Sequence, residues 1–186
     1  DVLVPTTRKG VVALDGARGW EIWNSAEFTR GKTVTSPLLV DVNGDGEKDI
    51  LSISDGGQVL AMSSQKDKVW QLWEAKVPGI LYASLGYIDL GKQALVITAT
   101  KDGIVALNAD SGRMSWQKAI NGGFFSSPVA VDGNGDGIDD VLAITQNGNI
   151  YVLDSLTGEE IWSASLNVRV SATPAVIDVN QDNLKD

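Results

Sequence analysis

Hydrophobic and polar positions along this chain alternate in short bursts, and no segment keeps a 3.6-residue period over a useful length. The runs DVLAIT (140–145), NIYVLD (149–154) and EEIWSASL (159–166) are rich in β-branched and aromatic residues and are separated by NG and TG turns. A fourth run, SPVAVD (127–132), precedes an acidic loop. Runs of this length, bounded by turn-forming residues, predict four short antiparallel strands.

The same pattern recurs along the chain. DVLAITQNGNIYVLDSLTGEEIW (140–162) aligns without a gap on DVLVPTTRKGVVALDGARGWEIW (1–23), so that Asp140 falls on Asp1, Asp154 on Asp15, Gly158 on Gly19 and Trp162 on Trp23. Residues 94–116 fit the same frame with Ala94, Asn108, Gly112 and Trp116, and residues 49–70 fit with one residue fewer in the second turn, ending at Trp70. Starts at 1, 49, 94, 140 and 186 are spaced by 48, 45, 46 and 46 residues, which divides one domain into units of about 1–48, 49–93, 94–139 and 140–186. Units of ~45 residues with four strands each are the blades of a β-propeller. The expected fold is therefore all-β, with four blade-equivalents of four antiparallel strands, either as a closed four-bladed ring or as part of a larger propeller. A tryptophan repeated in register (Trp23, Trp70, Trp116, Trp162) predicts packing between neighbouring blades.

The chain begins at the second strand of a unit and stops after the first strand and loop of another. Residues 171–178 are therefore candidates for the strand missing beside residues 1–30, which would close a four-bladed ring. An open piece would instead expose sheet edges and self-associate through them.

The loops after the first strands carry the candidate chemistry. DVNGDGEKD (41–49) and DGNGDGIDD (132–140) place acidic or amide side chains on alternate residues, where like charges repel unless a cation sits among them. In the first loop the candidate ligands are Asp41, Asn43, Asp45, the carbonyl of Glu47 and Asp49, with Gly46 at the sharp turn. The second loop offers Asp132, Asn134, Asp136, the carbonyl of Ile138 and Asp140, with Gly137 at the turn. A third, DVNQDNLKD (178–186), offers Asp178, Asn180, Asp182, the carbonyl of Leu184 and Asp186, with Asn183 in place of the glycine. Five protein oxygens including a carbonyl suit Ca²⁺ better than Mg²⁺, which keeps several waters. Two Ca²⁺ sites are expected, with the third loop as a further candidate. In the remaining unit, YIDLGKQAL (87–95) has lost three residues and the closing Asp, so an ordinary hairpin is expected there.

Composition narrows the function. A formal net charge of -9 disfavours nucleic acid as a partner, and three bound divalent ions would bring it to -3. The chain contains no Cys and no His, which removes thiol chemistry, the usual base near neutral pH and the Ser-His-Asp triad. No stretch approaches the ~20 apolar residues of a membrane span and the first residues do not read as a signal peptide, so a soluble chain with no membrane insertion is expected.

Two family resemblances follow from these residues. SSPVAVDGNGDGIDDVLAIT resembles the FG-GAP/VCBS repeat, whose calcium loop has the form DxNxDGxxD, and GNIYVLDSLTGEEIW resembles the quinoprotein-like (PQQ-type) repeat, with its TG turn and closing Trp. Together they imply a calcium-binding propeller, non-catalytic, acting in protein recognition, adhesion or scaffolding at an extracellular, cell-surface or periplasmic location. Calcium loops with affinities of ~10⁻⁴–10⁻³ M are typical of modules outside the cytoplasm. The PQQ-type resemblance also implies an alternative, a segment of a PQQ-dependent dehydrogenase-like propeller. Such enzymes resemble rings of about eight blades whose cofactor stacks against a vicinal Cys pair, and this chain has no Cys. A sensor or scaffold domain of a larger envelope protein, of the kind that serves outer-membrane assembly, is a further alternative. The partner is expected to be a protein. The segments entering each first strand, 31–34, 79–82, 122–125 and 167–170, should gather on one face, with Tyr82, Phe124, Phe125 and Arg169 as contact residues or as plugs of the central channel.

Overall fold

A computed structural model describes residues 1–33, 35–79 and 83–178. Its strands fall into four antiparallel sheets. Blade I holds β1 (Val2–Thr6), β2 (Gly10–Leu14) and β3 (Glu21–Asn24), and blade II holds β4 (Leu38–Val40), β5 (Asp49–Ile53), β6 (Gln58–Gln65) and β7 (Lys68–Lys76). Blade III holds β8 (Gly86–Asp89), β9 (Ala94–Thr100), β10 (Gly103–Asn108) and β11 (Met114–Ala119). Blade IV holds β12 (Val129–Val131), β13 (Asp140–Ile144), β14 (Asn149–Leu153) and β15 (Glu160–Ser165). Each strand pairs with its neighbour in sequence, as short turns dictate. The all-β fold with four blade-equivalents is as expected, blade I having three strands among the described residues.

The middle strands of blades II and III are apolar on both faces because those two sheets are packed on both sides. Every residue of β5 is buried, and all of β9 except Ala94. Alternation then distributes successive side chains to opposite neighbours. Ile50 joins Val11, Leu60 and Met62 in the core between blades I and II, whereas Leu51 and Ile53 join Val96, Val105 and Leu107 between blades II and III. A third core between blades III and IV gathers Leu95, Ile97, Ile104, Val141 and Leu153 around Trp116.

One bulge recurs in all four sheets, between the third and fourth strands of the blade pattern. The pairs Ala13↔Trp23, Ala61↔Trp73, Ala106↔Trp116 and Val152↔Trp162 each precede a register shift. This corrects the sequence frame at one position: the repeated tryptophan of blade II is Trp73, not Trp70. The β6–β7 hairpin extends beyond its counterparts, Trp70 pairs with Ser63 on that extension, and it is 41% exposed. Trp73 and Trp116 are each 8% exposed and sit between blades, as expected of a repeated ring.

Their seats are built alike. Trp73 Nε1 donates to the Ala109 carbonyl at 2.8 Å and Trp116 Nε1 to that of Ser155 at 2.7 Å, in both cases in the turn of the following blade. Gly112 lies over the Trp73 ring and Gly158 over that of Trp116, so close that a Cβ would stand 2.4 and 2.6 Å from the respective Cε3 atoms. Glycine is required at these turns for that approach and for a φ of +67° and +74°.

Residues 171–178 do not complete blade I. They form no strand, and the only sheet partner of β1 among the described residues is β2. Thr173 Oγ1 accepts a hydrogen bond from Ser127 N, just as Ser127 Oγ accepts one from Ser84 N. The segment thus follows β12 as β12 follows β8, at the inner position beyond blade IV rather than back at β1.

Candidate functional site

The two acidic loops of the described residues join the first and second strands of blades II and IV. They close on their own backbone. Asp41 accepts hydrogen bonds from Gly44 N (2.7 Å) and Gly46 N (2.8 Å), and Asp132 from Gly135 N (2.7 Å), Asp136 N (3.1 Å) and Gly137 N (2.9 Å). Asn43 and Asn134 each donate to the Asp two residues on, Asp45 and Asp136. These amides hold the Asp41 and Asp132 carboxyls below the usual carboxylate range, the bonds from Gly46 and Gly137 contributing most. Among the described residues the side chains do not converge into a group of three or more acidic ligands.

The closing positions differ between the loops. Asp140 is 2% exposed, and its oxygens accept Ser155 N and Gly133 N, each at 3.2 Å. Burial nevertheless pushes its pKa up. Asp49, fully buried, accepts Val42 N at 3.0 Å through Oδ2, but its Oδ1 has no hydrogen-bond partner. The cause lies in blade II: β6 runs straight on through Ser63 and Ser64, so the turn amide corresponding to Ser155 N is not there. Of the third expected loop only Asp178 is described; Asn180, Asp182, Leu184 and Asp186 lie outside the described residues. The shortened loop of blade III is an ordinary hairpin, closed by Leu90 N to the Gln93 carbonyl (2.9 Å) and by Gly91 N to Asp89 Oδ1 (2.8 Å).

A groove of about 610 Å³ runs between the first acidic loop and the turns of blade III, lined by Asp41, Asn43, Asp89, Lys92, Asp110 and Arg113 among others. The opposite end of the blades carries the segments entering the first strands. There the carbonyls of Lys32, Gly79 and Gly123 accept bonds from Asp55, Lys101 and Gln146, and Val170 N donates to the Gln146 carbonyl. Each of these segments is thus fastened to the turn that joins the second and third strands of a blade, and their contact residues divide. Phe124 is 2% exposed and belongs to the core between blades III and IV, so it is a core residue and not an exposed contact residue. Phe125 is half-buried and Arg169 exposed; Tyr82 lies outside the described residues.

Residues 55–176, more than half of the chain, match the family model of outer membrane protein assembly factor BamB. The chain belongs to the BamB family. Outer membrane protein assembly factor BamB of Burkholderia pseudomallei (strain K96243) is 27% identical over 173 residues, covering 87% of this chain and 42% of that protein. The crystal structure of BamB from Moraxella catarrhalis superposes with a TM-score of 0.64 at 20% identity, over 95% of this chain and 49% of the other. Quinohemoprotein alcohol dehydrogenase ADHIIG from Pseudomonas putida HK5 shares the fold at a TM-score of 0.58 and 14% identity, over 88% of this chain and 33% of that one. The chain thus spans half or less of the length of these relatives. BamB membership bears out the PQQ-type side of the resemblance, while the FG-GAP/VCBS likeness rests on the loop residues alone.

Proposed function

We propose that this chain is a non-catalytic propeller module that binds a protein partner as a recognition or scaffold surface in the cell envelope, outside the cytoplasm. The observation that carries this reading is the BamB family match across blades II to IV, since that family is named for outer membrane protein assembly. The end of the blades that bears Phe125 and Arg169 is the proposed contact face. It is built from strand-entry segments held against turns, and loops on a rigid sheet scaffold are where binding residues concentrate. A photo-crosslinker placed at Arg169 is expected to trap one discrete protein from envelope extract, and the same probe at Asp136, on the acidic-loop end, to trap none. Trapping from Asp136 alone, or from neither, would overturn the choice of face.

The fold likeness to a quinohemoprotein dehydrogenase favours a second reading, a segment of a PQQ-dependent enzyme. Added PQQ with an alcohol and an electron-accepting dye is expected to give no turnover, and measurable turnover would replace the scaffold reading.

We further propose that the loops at 41–49 and 132–140 take up Ca²⁺ as an added staple between the first and second strands. Support comes from the alternation of oxygen donors and from Asp49 Oδ1, a buried oxygen lacking a donor at the closing position, which is a natural ligand for a hard cation. Asp45, Asp49 and the Glu47 carbonyl would hold an ion in the first loop, and Asp136 with the Ile138 carbonyl in the second. Chelator is expected to lower the melting temperature and Ca²⁺ to restore it, by roughly 3–6 °C per site at ten times the dissociation constant. Asp45→Ala and Asp136→Ala should each remove part of the effect. A melting curve indifferent to Ca²⁺ would leave the loops as self-closed turns.

A further inference from the structure

Blade II departs from the repeat at one place. In the other three blades a tight turn (15–19, 108–112 or 154–158) leads into the last strand, closed by the glycine N–H on the first carbonyl at 2.8 Å. In blade II, β6 and β7 instead run on as a hairpin to the pair Gln65↔Lys68, turning at Lys66 and Asp67. Lys66 has a φ of +56°, a left-handed conformation uncommon for a residue with a side chain. Between this extension and the acidic loop 41–49 opens a groove of about 510 Å³, lined by Asp45, Glu47, Ser63, Gln65, Lys66 and Trp70 among others.

The polar groups of this groove are left without partners. Trp70 is 41% exposed, and its Nε1 donates to nothing among the described residues, whereas the seated Trp73 Nε1 has the Ala109 carbonyl. Ser63 stands directly across from Trp70 in the register, so both side chains lie on the same face of the sheet. Ser63 is only 4% exposed, yet its hydroxyl has no hydrogen-bond partner among the described residues and opens on the groove. A hydroxyl so nearly buried calls for a partner, and here only an occupant of the groove can supply one. Glu47 and Lys66 also stay outside the ion pairs of the described residues, Lys9–Glu21 and Lys118–Glu159.

The lining selects the ligand. A cation entering the groove meets Lys66, and an anion meets Asp45 and Glu47, so neither finds walls of one opposing sign. What the walls offer is a flat apolar ring beside mixed hydrogen-bonding groups: the carboxylates accept, Lys66 donates, and Ser63 and Gln65 do both. A pyranose has the complement of that set, with hydroxyls around its rim that donate and accept and a face of C–H groups that stacks on an indole. The groove also has the volume of a small-molecule site. We propose that it binds a neutral sugar, a pyranose unit of a glycan, stacked on Trp70 and hydrogen-bonded to Glu47, Ser63 and Gln65. This site lies at the acidic-loop end of blade II, away from the proposed protein contact face, and does not depend on it.

Titration of the ¹⁵N-labelled 186-residue chain with cellobiose, maltose and N,N′-diacetylchitobiose, read on the indole N–H resonances, tests this in chelator and again with Ca²⁺. At least one of these sugars is expected to shift the Trp70 indole resonance saturably, with a Kd on the order of 1 mM. Trp70→Ala should weaken that binding about tenfold or more and Ser63→Ala about threefold to tenfold, the scales of one stacked ring and one hydrogen bond. Far-UV spectra of both variants remain native, since Trp70 is exposed and the Ser63 hydroxyl bonds to nothing among the described residues. Trp20→Ala, which removes the 68% exposed indole of blade I, should leave the affinity unchanged. No saturable shift with any of the sugars up to ~50 mM, an affinity indifferent to Trp70→Ala, or saturable binding of N-acetylargininamide in place of the sugars would each overturn the inference.

Discussion

Trp116→Ala is expected to lower the free energy of unfolding by about 3–5 kcal/mol, a large fraction of the roughly 5–15 kcal/mol that holds a domain of this size. Three effects combine. The ring lies in the core between blades III and IV with Val141, Ala143 and Leu153, its removal leaves a cavity that stacked sheets cannot easily collapse, and the Ser155 carbonyl loses its donor. Trp73→Ala should cost about as much, by the same route between blades II and III. Trp70→Ala, on the exposed hairpin extension, should change stability by about 1 kcal/mol or less. Urea unfolding followed by circular dichroism checks all three. In a row of repeats each blade is stabilised mainly by its neighbours. Loss of Trp116 should therefore release blade IV before the rest and lower the cooperativity of the main transition. Equal losses for Trp70→Ala and Trp73→Ala would count against Trp73 as the repeated tryptophan of blade II.

Gly158→Ala is the second large effect, expected at about 2–4 kcal/mol. The new methyl group meets Trp116 Cε3 and Cδ2 at 2.6 and 2.7 Å, closer than any real contact, and the backbone at φ +74° adds left-handed strain. The blade cannot yield by turning the ring, because the indole nitrogen is tied to Ser155 in the same turn. Gly44→Ala offers the control: its φ is +77°, but nothing lies within 4 Å, so only the strain of about 1–2 kcal/mol should appear. A loss at Gly158 no larger than at Gly44 would show that the glycine serves the turn's conformation alone, and that the roof over the tryptophan carries no energy of its own.

The repeated tryptophan shows how far sequence reasoning reaches. Trp23, Trp116 and Trp162 were legible because hairpins of equal length keep them in one frame. Trp73 was not, since Trp70 presents the same side chain three residues earlier. What separates them is a hairpin extension and a bulge, and neither changes the polar and apolar pattern enough to be read. For Phe124 the sequence offered a contact residue or a plug of the central channel, and only the tertiary packing shows it in one core with Ile97 and Val141 between blades III and IV. At the acidic loops the spacing of Asp and Asn was plain, yet the sequence could not say where their oxygens point. The structure directs Asp41 and Asp132 at backbone amides and leaves the buried Asp49 Oδ1 without a donor, an oddity traceable to the long β6 several residues away.

By itself the sequence determined the strands, their order within each sheet and the number of blade-equivalents, because those depend on local alternation and turn chemistry, which act over a few residues. The tertiary structure alone decided which ring seats under which glycine, and that residues 171–178 follow blade IV and do not return to β1. Those outcomes depend on how whole sheets pack face to face, over distances that no residue-by-residue pattern encodes.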